Sequence, residues 1–228
     1  MTTDFVIIGG GCYGTYYVRQ LLQARDRGKL TWSKVLVLDR DRSCAVAQLN
    51  HPDVTVEVTQ WEAWGAQLVR RRAELEGGQL VPAPIAPHIL KHWLLDAWTR
   101  EGRVTDVAYP SCPTELPYAA VLERGTLVLS HAPGMCPVNC IEPRKCPLTR
   151  AERDWEMGDT VAHLAAREGL PVEVFACRHY AYGVGTIGFS DIFAALSRMP
   201  EHAAVGRVAI ATVSACHGLV DVVDIHHS

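Results

Sequence analysis

The sequence predicts an α/β protein with one doubly wound, mostly parallel sheet and an inserted loop rich in cysteine and proline. Three observations lead to this prediction. The chain opens with a short apolar run, Phe5 to Ile8, which continues into glycines and then into an amphipathic segment. Short apolar runs bounded by turn residues recur further along, with helical segments between them, as the buried strands of a parallel sheet do. The stretch from Tyr109 to Pro147 instead concentrates prolines and cysteines.

The composition narrows the function classes. The 228 residues carry a formal net charge of -3, and lysine and arginine are scattered, so we expect no nucleic-acid partner. The N-terminus carries Asp4 where a signal peptide has basic residues, and no apolar run is long enough to span a bilayer. We therefore expect a cytoplasmic protein without a membrane span. In that compartment the eight cysteines are expected to be thiols or thiolates that bind metal, react or are simply buried.

A glycine-rich turn follows the first predicted strand. The segment DFVIIGGGCYG places Gly9, Gly11 and Gly14 in a G-x-G-x-x-G pattern between a strand and a helix. In such a turn the first glycine permits a sharp bend, the second lets the backbone approach a pyrophosphate, and the third lets helix pack on strand. The next strand, KVLVLDRD, ends in Asp39, whose carboxylate is positioned to accept ribose hydroxyls. Arg40 is an alternative contact for a 2'-phosphate, so both NAD and NADP remain candidates.

The stretch from Asp4 to Asp41 resembles the Rossmann-type NAD(P)-binding domains, and among them it is most similar to the nucleotide-binding domain of potassium-uptake regulators. The resemblance covers under a fifth of the chain. It implies a Rossmann-like fold and a nucleotide ligand, with Gly9, Gly11, Gly14 and Asp39 as cofactor contacts. It implies no particular reaction.

Further elements are predicted in the first half. Strands are expected at residues 53–58 and 79–83, and the segment HILKHWLLDAWTREG has the apolar spacing of a helix. On that helix His88, His92 and Asp96 recur every fourth residue, a spacing that suits either a metal site or a solvated polar stripe. We favour the solvated stripe.

The second half contains three apolar runs whose ends share one feature. GTLVLSH, PVEVFACRH and GRVAIATVSACHG are predicted strands, with helices at residues 149–168 and 190–199 between them. Sulfur, hydroxyl or imidazole groups stand at each strand end: Ser130 and His131, Cys177 and His179, Cys216 and His217. In open α/β sheets ligands bind at the carboxyl ends of the strands. The three histidines are therefore candidate acids or bases, although Cys177 and Cys216 are also typical of plain burial.

The loop CPVNCIEPRKCP is the strongest metal candidate. Cys136, Cys140 and Cys146 are spaced C-x3-C-x5-C, and Cys-Pro occurs at positions 112, 136 and 146. This spacing differs from zinc knuckles and from the bacterial ferredoxin run, yet that run also ends in Cys-Pro. An iron–sulfur cluster is our first interpretation, and zinc and free redox thiols are the alternatives. The sequence offers Cys112, which we prefer, Cys177 and Cys216 for a fourth ligand.

These patterns combine into one functional hypothesis. We divide the chain into a nucleotide-binding half (1–108), a Cys/Pro-rich metal-binding region (109–150) and a segment that completes the same sheet (151–228). The hypothesis is an NAD(P)-binding oxidoreductase with a cysteine-ligated iron–sulfur or zinc centre, and the alternative is a non-enzymatic nucleotide or redox sensor. A hydride carries two electrons, whereas an iron–sulfur centre usually passes one at a time. Direct coupling of the two is therefore a difficulty for the enzyme, and the sensor remains the alternative. The expected partners are a small-molecule ligand and either a second copy of the chain or a redox protein.

Overall fold

The structure is a computed structural model that describes residues 3–84, 88–108, 110, 113, 115–122, 125–134, 136 and 140–227. The elements along these residues are β1 (Phe5–Ile8), α1 (Cys12–Asp26), β2 (Val35–Asp39), β3 (Val54–Val58), α2 (Trp61–Trp64), α3 (Arg72–Leu75), β4 (Gln79–Val81), α4 (Ile89–Arg100), β5 (Arg103–Ala108), β6 (Tyr118–Val121), β7 (Leu127–Ser130), α5 (Met157–Arg167), β8 (Val172–Ala176), β9 (Arg178–Ala181), β10 (Val184–Gly188), α6 (Phe189–Val205), β11 (Arg207–Val213) and β12 (His217–His227). Single turns of 3-10 helix occur at Ala47–Leu49 and Gly65–Gln67.

The first sheet has the strand order β3-β2-β1-β4-β10-β9. Its first four strands are parallel, and β10 and β9 add an antiparallel edge. The alternating side chains of β1 serve two different cores, because successive side chains in a strand point to opposite faces. Phe5 and Ile7 pack with α1, and Val6 and Ile8 face the opposite side.

The second sheet has the strand order β6-β7-β12-β11-β8, and β5 also pairs with β12. The long strand β12 runs antiparallel to β11 on one side and to β7 and β5 on the other. Among the described strands of this second sheet, β8 and β11 form the one parallel pair. Since β7 and β11 both oppose β12, they run in the same direction as each other and as β8. The carboxyl ends of these three strands therefore reach the same edge of the sheet.

Helices α4 and α6 belong to the core that the two sheets share. That cluster combines Ile8 of the first sheet, Trp93 of α4, Phe189 of α6 and Ile210 of the second sheet, all nearly inaccessible to solvent. Helix α1 covers the outer face of the first sheet, and α5 covers the outer face of the second. Across the described residues, no helix has both the length and the apolar character needed to cross a bilayer.

The predicted single, doubly wound and mostly parallel sheet is wrong, because the chain forms two mixed sheets. One cause is the tight turn between β9 and β10, where Tyr182 (φ 50°) and Gly183 (φ 80°) adopt the two positive φ values that favour a hairpin. Another is β12, which inserts between strands expected to be joined by helical crossovers. The predicted helix at 149–168 begins only at Met157, and the one at 190–199 continues past Pro200 to Val205.

The sheets draw on distant parts of the sequence. Strands β9 and β10 join the first sheet, although the sequence groups them with residues 151–228. Strand β5 pairs with β12 in the second sheet, although the sequence groups it with residues 1–108. The domain boundaries at 108 and 150 stay a prediction.

Candidate functional site: a cysteine-lined pocket between the two sheets

A pocket of about 800 Å³ opens where the carboxyl edge of the second sheet faces the first turn of α1. Tyr13 and Tyr17 of α1 line one side of it. The other sides contain the residue types singled out from the sequence: Ser130, Cys136, Cys140, Cys177, His179, Cys216 and His217. The shared direction of β7, β11 and β8 accounts for this convergence, because their last residues reach one edge.

A chain of hydrogen bonds links Ser130, His217 and Cys136. The Ser130 hydroxyl donates to the Ala132 carbonyl oxygen at 2.7 Å and lies 3.0 Å from Nδ1 of His217, from which it accepts. Nε2 of His217 is then the acceptor that faces Cys136 Sγ at 3.1 Å. Burial lowers the pKa of His217. A neutral imidazole is thus within hydrogen-bond distance of the Cys136 thiol.

Four thiols are neighbours beside this chain. The Cys136 thiol hydrogen-bonds with that of Cys140, and the charges of Cys140, Cys216 and Cys146 all act on it. Burial, and then these like charges, raise the pKa of Cys136 to about 11. A cation beside Cys136 would act in the opposite direction on the pKa of its thiol.

Cys146 is the member of the group most prepared to be a thiolate. Its sulfur accepts hydrogen bonds from the backbone N–H of Thr149, the Thr149 hydroxyl and the backbone N–H of Leu148, and these contacts lower its pKa. The residue is held by its own backbone, since Cys146 N–H donates to the Ala151 carbonyl at 2.9 Å. Hydrogen bonds to a charged sulfur are also the way in which proteins stabilise metal-bound thiolates.

Arg153 supplies positive charge next to the sulfurs. Its guanidinium lowers the pKa of Cys146, and it acts in the same direction on Cys216, whose pKa burial raises. Within the described residues, its buried Nη1 atom has no hydrogen-bond partner. The same guanidinium also pairs with Glu156, whose Oε1 lies 4.0 Å from its Nη2.

The other two candidate histidines have structural partners. His131 Nε2 lies 2.8 Å from the Thr160 hydroxyl, and its ring stacks on Trp155. His179 lies on β9, where its Nε2 accepts the N–H of Gly183 at 2.9 Å and so secures the β9–β10 turn. Of the three, His217 is the one that contacts a cysteine of the loop.

Cys177 occupies the point where the chain passes from the second sheet to the first. Its N–H donates to Val213 in β11 at 2.7 Å. Burial and the neighbouring Glu142 carboxylate raise its pKa to about 12, so it is a neutral thiol. The Glu142 carboxylate accepts the Ala215 N–H at 2.7 Å and thereby ties the loop to the β11–β12 turn.

The glycine turn precedes α1 as the sequence predicts. Gly9 has a φ of 85°, and a side chain at Gly14 would overlap the Gly9 carbonyl oxygen. Asp39 accepts the Gly10 N–H at 2.6 Å with one carboxylate oxygen and the Asp41 N–H at 2.9 Å with the other. A side chain at Gly11 would meet no described atom within 4 Å. The backbone of the turn therefore disfavours a side chain at Gly9 and at Gly14, whereas Gly11 faces open space.

Two observations bear on the metal candidates. Cys112 lies outside the described residues. Among the residues that are described, no three Cys, His, Asp or Glu side chains are spaced to hold one metal ion as they stand. The thiols of the loop are thus neighbours that a metal would have to draw together.

Sequence reasoning missed a buried network behind the pocket. Thr212 lines the pocket, and its hydroxyl lies 2.8 Å from Nδ1 of His88. The other ring nitrogen of His88, Nε2, lies 2.8 Å from a carboxylate oxygen of the fully buried Asp221, without the alignment of a hydrogen bond. Lys91 also pairs with Asp221 at 3.2 Å. The solvated stripe expected on this helix is wrong for His88, which is only 8% exposed. No sequence signal connects positions 88 and 221, because the contact depends on β12 entering the sheet.

The C-terminal part of the chain matches a known family. The sequence model of the family described as "AF_1314_C: Uncharacterized protein, C-terminal domain" matches residues 87–226. The chain belongs to this family. The matched segment includes the second sheet, the Cys/Pro-rich loop and the β11–β12 turn, whereas the glycine turn precedes it. No curated protein and no solved structure matches the chain.

Proposed function

We propose that the protein is an NAD(P)-binding oxidoreductase that carries a cysteine-ligated metal centre beside its pocket. Iron–sulfur is the first candidate for the centre and zinc the second. The observation that carries the proposal is the pocket itself, which joins the first turn of α1 with Cys136, Cys140, Cys216 and His217.

The glycine turn supports the nucleotide part. Helix α1 begins at Cys12 after the N-cap residue Gly11, no described side chain caps it, and its first turn has no acidic residue. Free N–H groups at a helix N-terminus attract a phosphate, and the open space at Gly11 admits one closely. Asp39 stands at the end of the neighbouring strand, where ribose hydroxyls are bound in dinucleotide sites. A bound nicotinamide would supply or accept a hydride.

The loop supports the metal part. Cys136 and Cys140 follow β7 and line the pocket, and Cys146, further along the same loop, already has the hydrogen bonds of a stabilised thiolate. A metal would link the three sulfurs and so supply the free energy that brings them into one coordination sphere. His217 is placed to receive the proton that Cys136 loses.

Calorimetric titration with NAD⁺ and NADP⁺ tests the nucleotide part. Wild-type protein should bind at least one of them, and Gly11→Val should abolish binding because its side chain occupies the space left for the pyrophosphate. Gly158→Ala in α5 is the matched control, since its added methyl makes only ordinary contacts. Failure of the wild type to bind either nucleotide, or equal binding by Gly11→Val, would contradict the proposal.

Turnover separates the enzyme from the sensor. Anaerobic protein should oxidise NADH or NADPH in the presence of ferricyanide or a quinone as acceptor. Nucleotide binding without any turnover would contradict the oxidoreductase and favour the sensor.

A further inference from the structure

We infer that Thr212, His88 and Asp221 form a proton relay at the wall of the pocket, and that the pocket binds an alcohol whose hydroxyl proton this relay accepts. The inference rests on the proposed NAD(P)-binding oxidoreductase and names the substrate class of that same pocket. It gives a role to the buried network of these three residues, which the proposed nucleotide and metal sites do not use.

The register of the second sheet places Thr212 at the pocket and Asp221 behind it. Thr212 lies on the same face of β11 as Ile210, which packs in the core that the two sheets share. On this face Thr212 lies opposite Leu219, and Leu219 lies opposite Val128. All three of these residues line the pocket. Asp221 lies opposite Ile210, so its side chain is on the same face and one row deeper.

His88 connects the two rows from the N-terminus of α4. Its Nδ1 lies 2.8 Å from the Thr212 hydroxyl oxygen, and its Nε2 lies 2.8 Å from Oδ2 of Asp221. Because Nε2 faces a carboxylate oxygen, it carries the ring proton, and Nδ1 then accepts the hydrogen bond from Thr212. A hydroxyl, an imidazole and a carboxylate in this order can move a proton from the hydroxyl to the imidazole, and the carboxylate stabilises the imidazolium.

The contact between His88 and Asp221 is left open in a way that suits a proton acceptor. Nε2 of His88 and Oδ2 of Asp221 are buried, and among the described residues neither has an aligned hydrogen-bond partner. A buried polar atom without a hydrogen bond costs stability, so a contact that served structure alone is expected to close. A proton gained by His88 would strengthen its attraction to the carboxylate at this distance.

The charges around His88 leave it able to accept a proton. Burial is the largest influence and lowers its pKa below 6.5, Asp221 of β12 acts to raise it, and Lys91 of α4 acts to lower it. His92, also on α4, is a further titratable group that interacts with His88. The neutral, proton-accepting form of His88 is therefore present near pH 7 and is lost as the pH falls through the folded pKa.

The pocket beside Thr212 suits a ligand with an apolar body. Tyr17 of α1, Tyr118 of β6 and Leu219 of β12 line it with aromatic and aliphatic surface. Val128 and Leu219 share the row of Thr212, so the Thr212 hydroxyl is the polar group of that row. An alcohol fits both features, because its carbon skeleton packs on the apolar side chains while its hydroxyl donates to Thr212.

The reaction balances in protons and electrons. The alcohol gives its hydroxyl proton to Thr212 Oγ1, whose own proton passes to Nδ1 of His88. The C–H bond at the hydroxyl-bearing carbon breaks as a hydride that reduces NAD(P)⁺, and the carbon–oxygen double bond forms. One alcohol and one NAD(P)⁺ thus give one carbonyl compound, one NAD(P)H and one proton held on His88. Asp221 acts through His88, as the positioning residue that orients the imidazole.

The test follows NAD(P)H formation by the full chain with 2-butanol, cyclohexanol and benzyl alcohol as probes. Thr212→Val keeps the shape of the side chain but removes the hydroxyl, so kcat should fall about 10²–10⁴-fold. Thr212→Ser keeps the hydroxyl and should stay within about tenfold of the wild type. Thr186→Val is the matched control and should keep wild-type kcat, because Thr186 is also a buried threonine but bonds Gln79 in the first sheet. Circular dichroism establishes that each variant is folded.

The pH profile and NMR provide readouts that a structural role would not change. The kcat/KM of the wild type should fall in acid, and Lys91→Gln should move this fall to higher pH, because a charge that lowers the pKa of His88 is removed. In histidine side-chain NMR, benzyl alcohol should shift the His88 signal of the wild type but not that of Thr212→Val. The His88 signal is assigned by its loss in His88→Gln.

The outcomes separate the inference from the proposed function. Equal kcat in folded Thr212→Val and wild type, an unmoved acid limb in Lys91→Gln, or a His88 signal that does not respond to benzyl alcohol would overturn the relay. A wild type that binds NAD(P) and passes electrons from NADH or NADPH to ferricyanide, but oxidises none of the probe alcohols, would overturn the substrate class and leave the proposed function in place. Absence of nucleotide binding would overturn the proposed function, and the inference with it.

Discussion

Replacing Glu173 by glutamine should remove one of the contributions that make the stability of the protein depend on pH. Glu173 lies on β8 and is 3% exposed. Arg198 of α6 donates to both of its carboxylate oxygens, at 2.7 and 2.6 Å, and His202 Nε2 lies 2.6 Å from one of them. Burial acts to raise the pKa of the carboxyl, but these hydrogen bonds lower it from 4.5 to about 2. The carboxylate therefore fastens α6 to the second sheet.

The magnitude follows from the two pKa values. A pKa of about 2 in the folded chain against 4.5 corresponds to about 3 kcal/mol of folding free energy. Because the Arg198 side chain is 46% exposed and screened by water, this is the upper end of the expected effect. The folded pKa is depressed, so the contribution is fully present above pH 4.5 and disappears as the pH falls toward 2.

Urea unfolding followed by circular dichroism from pH 7 to pH 3 measures the effect. Glu173→Gln should be less stable than wild type by up to about 3 kcal/mol at pH 7, and the difference should shrink steadily in acid. Glu201→Gln, an exposed glutamate on α6, is the matched control and should stay close to wild type. A difference that is the same at pH 7 and pH 3 would refute the electrostatic reasoning.

Three more predictions concern the turn and the thiol group. Gly14→Ala should destabilise the fold by about 3 kcal/mol or more in thermal or urea unfolding, because its methyl would overlap a backbone oxygen. Gly158→Ala is the control and should not destabilise the fold. Equal stability of the two variants would argue against this turn geometry. Asp39→Asn should weaken NAD⁺ more than NADP⁺ in calorimetry, since an amide is a poorer acceptor for ribose hydroxyls, and an equal loss would argue against that contact. Arg153→Gln should weaken metal retention about 10–100-fold. Arg144→Gln should leave retention unchanged, because the Arg144 side chain is 85% exposed. Similar retention in both variants would contradict the role of Arg153 as the neighbouring cation.

The sequence was informative where local pattern decides structure. The glycine turn, the amphipathic α1 and the strand that ends in Asp39 are local features, and the structure contains all three. The strand ends at Ser130, Cys177 and Cys216 do meet at one pocket, although the reasoning assumed a single parallel sheet. The prediction that these strand ends converge depended only on the direction of the strands. Because β12 pairs antiparallel with both β7 and β11, those two strands still run in the same direction.

The division into two sheets was not accessible from the same patterns. An apolar strand carries no local signal of the partner it pairs with, so β12 and the β9–β10 hairpin were missed. The position of Cys216 beside the loop depends on these pairings, as does the contact of His88 with Asp221. Arg153 lies in a segment predicted to be helical, and only the extended path before α5 places it next to the sulfurs.

The metal content of anaerobically purified wild-type protein tests the central claim most directly. Elemental analysis with a sulfide assay and a visible absorption spectrum would decide it on one sample. The account predicts one centre per chain, either iron with sulfide and the broad visible absorption of an iron–sulfur cluster, or one zinc ion in a colourless protein. A folded protein without iron or zinc, in which the thiols of Cys136, Cys140, Cys146 and Cys216 are all free to react with a thiol reagent, would contradict it.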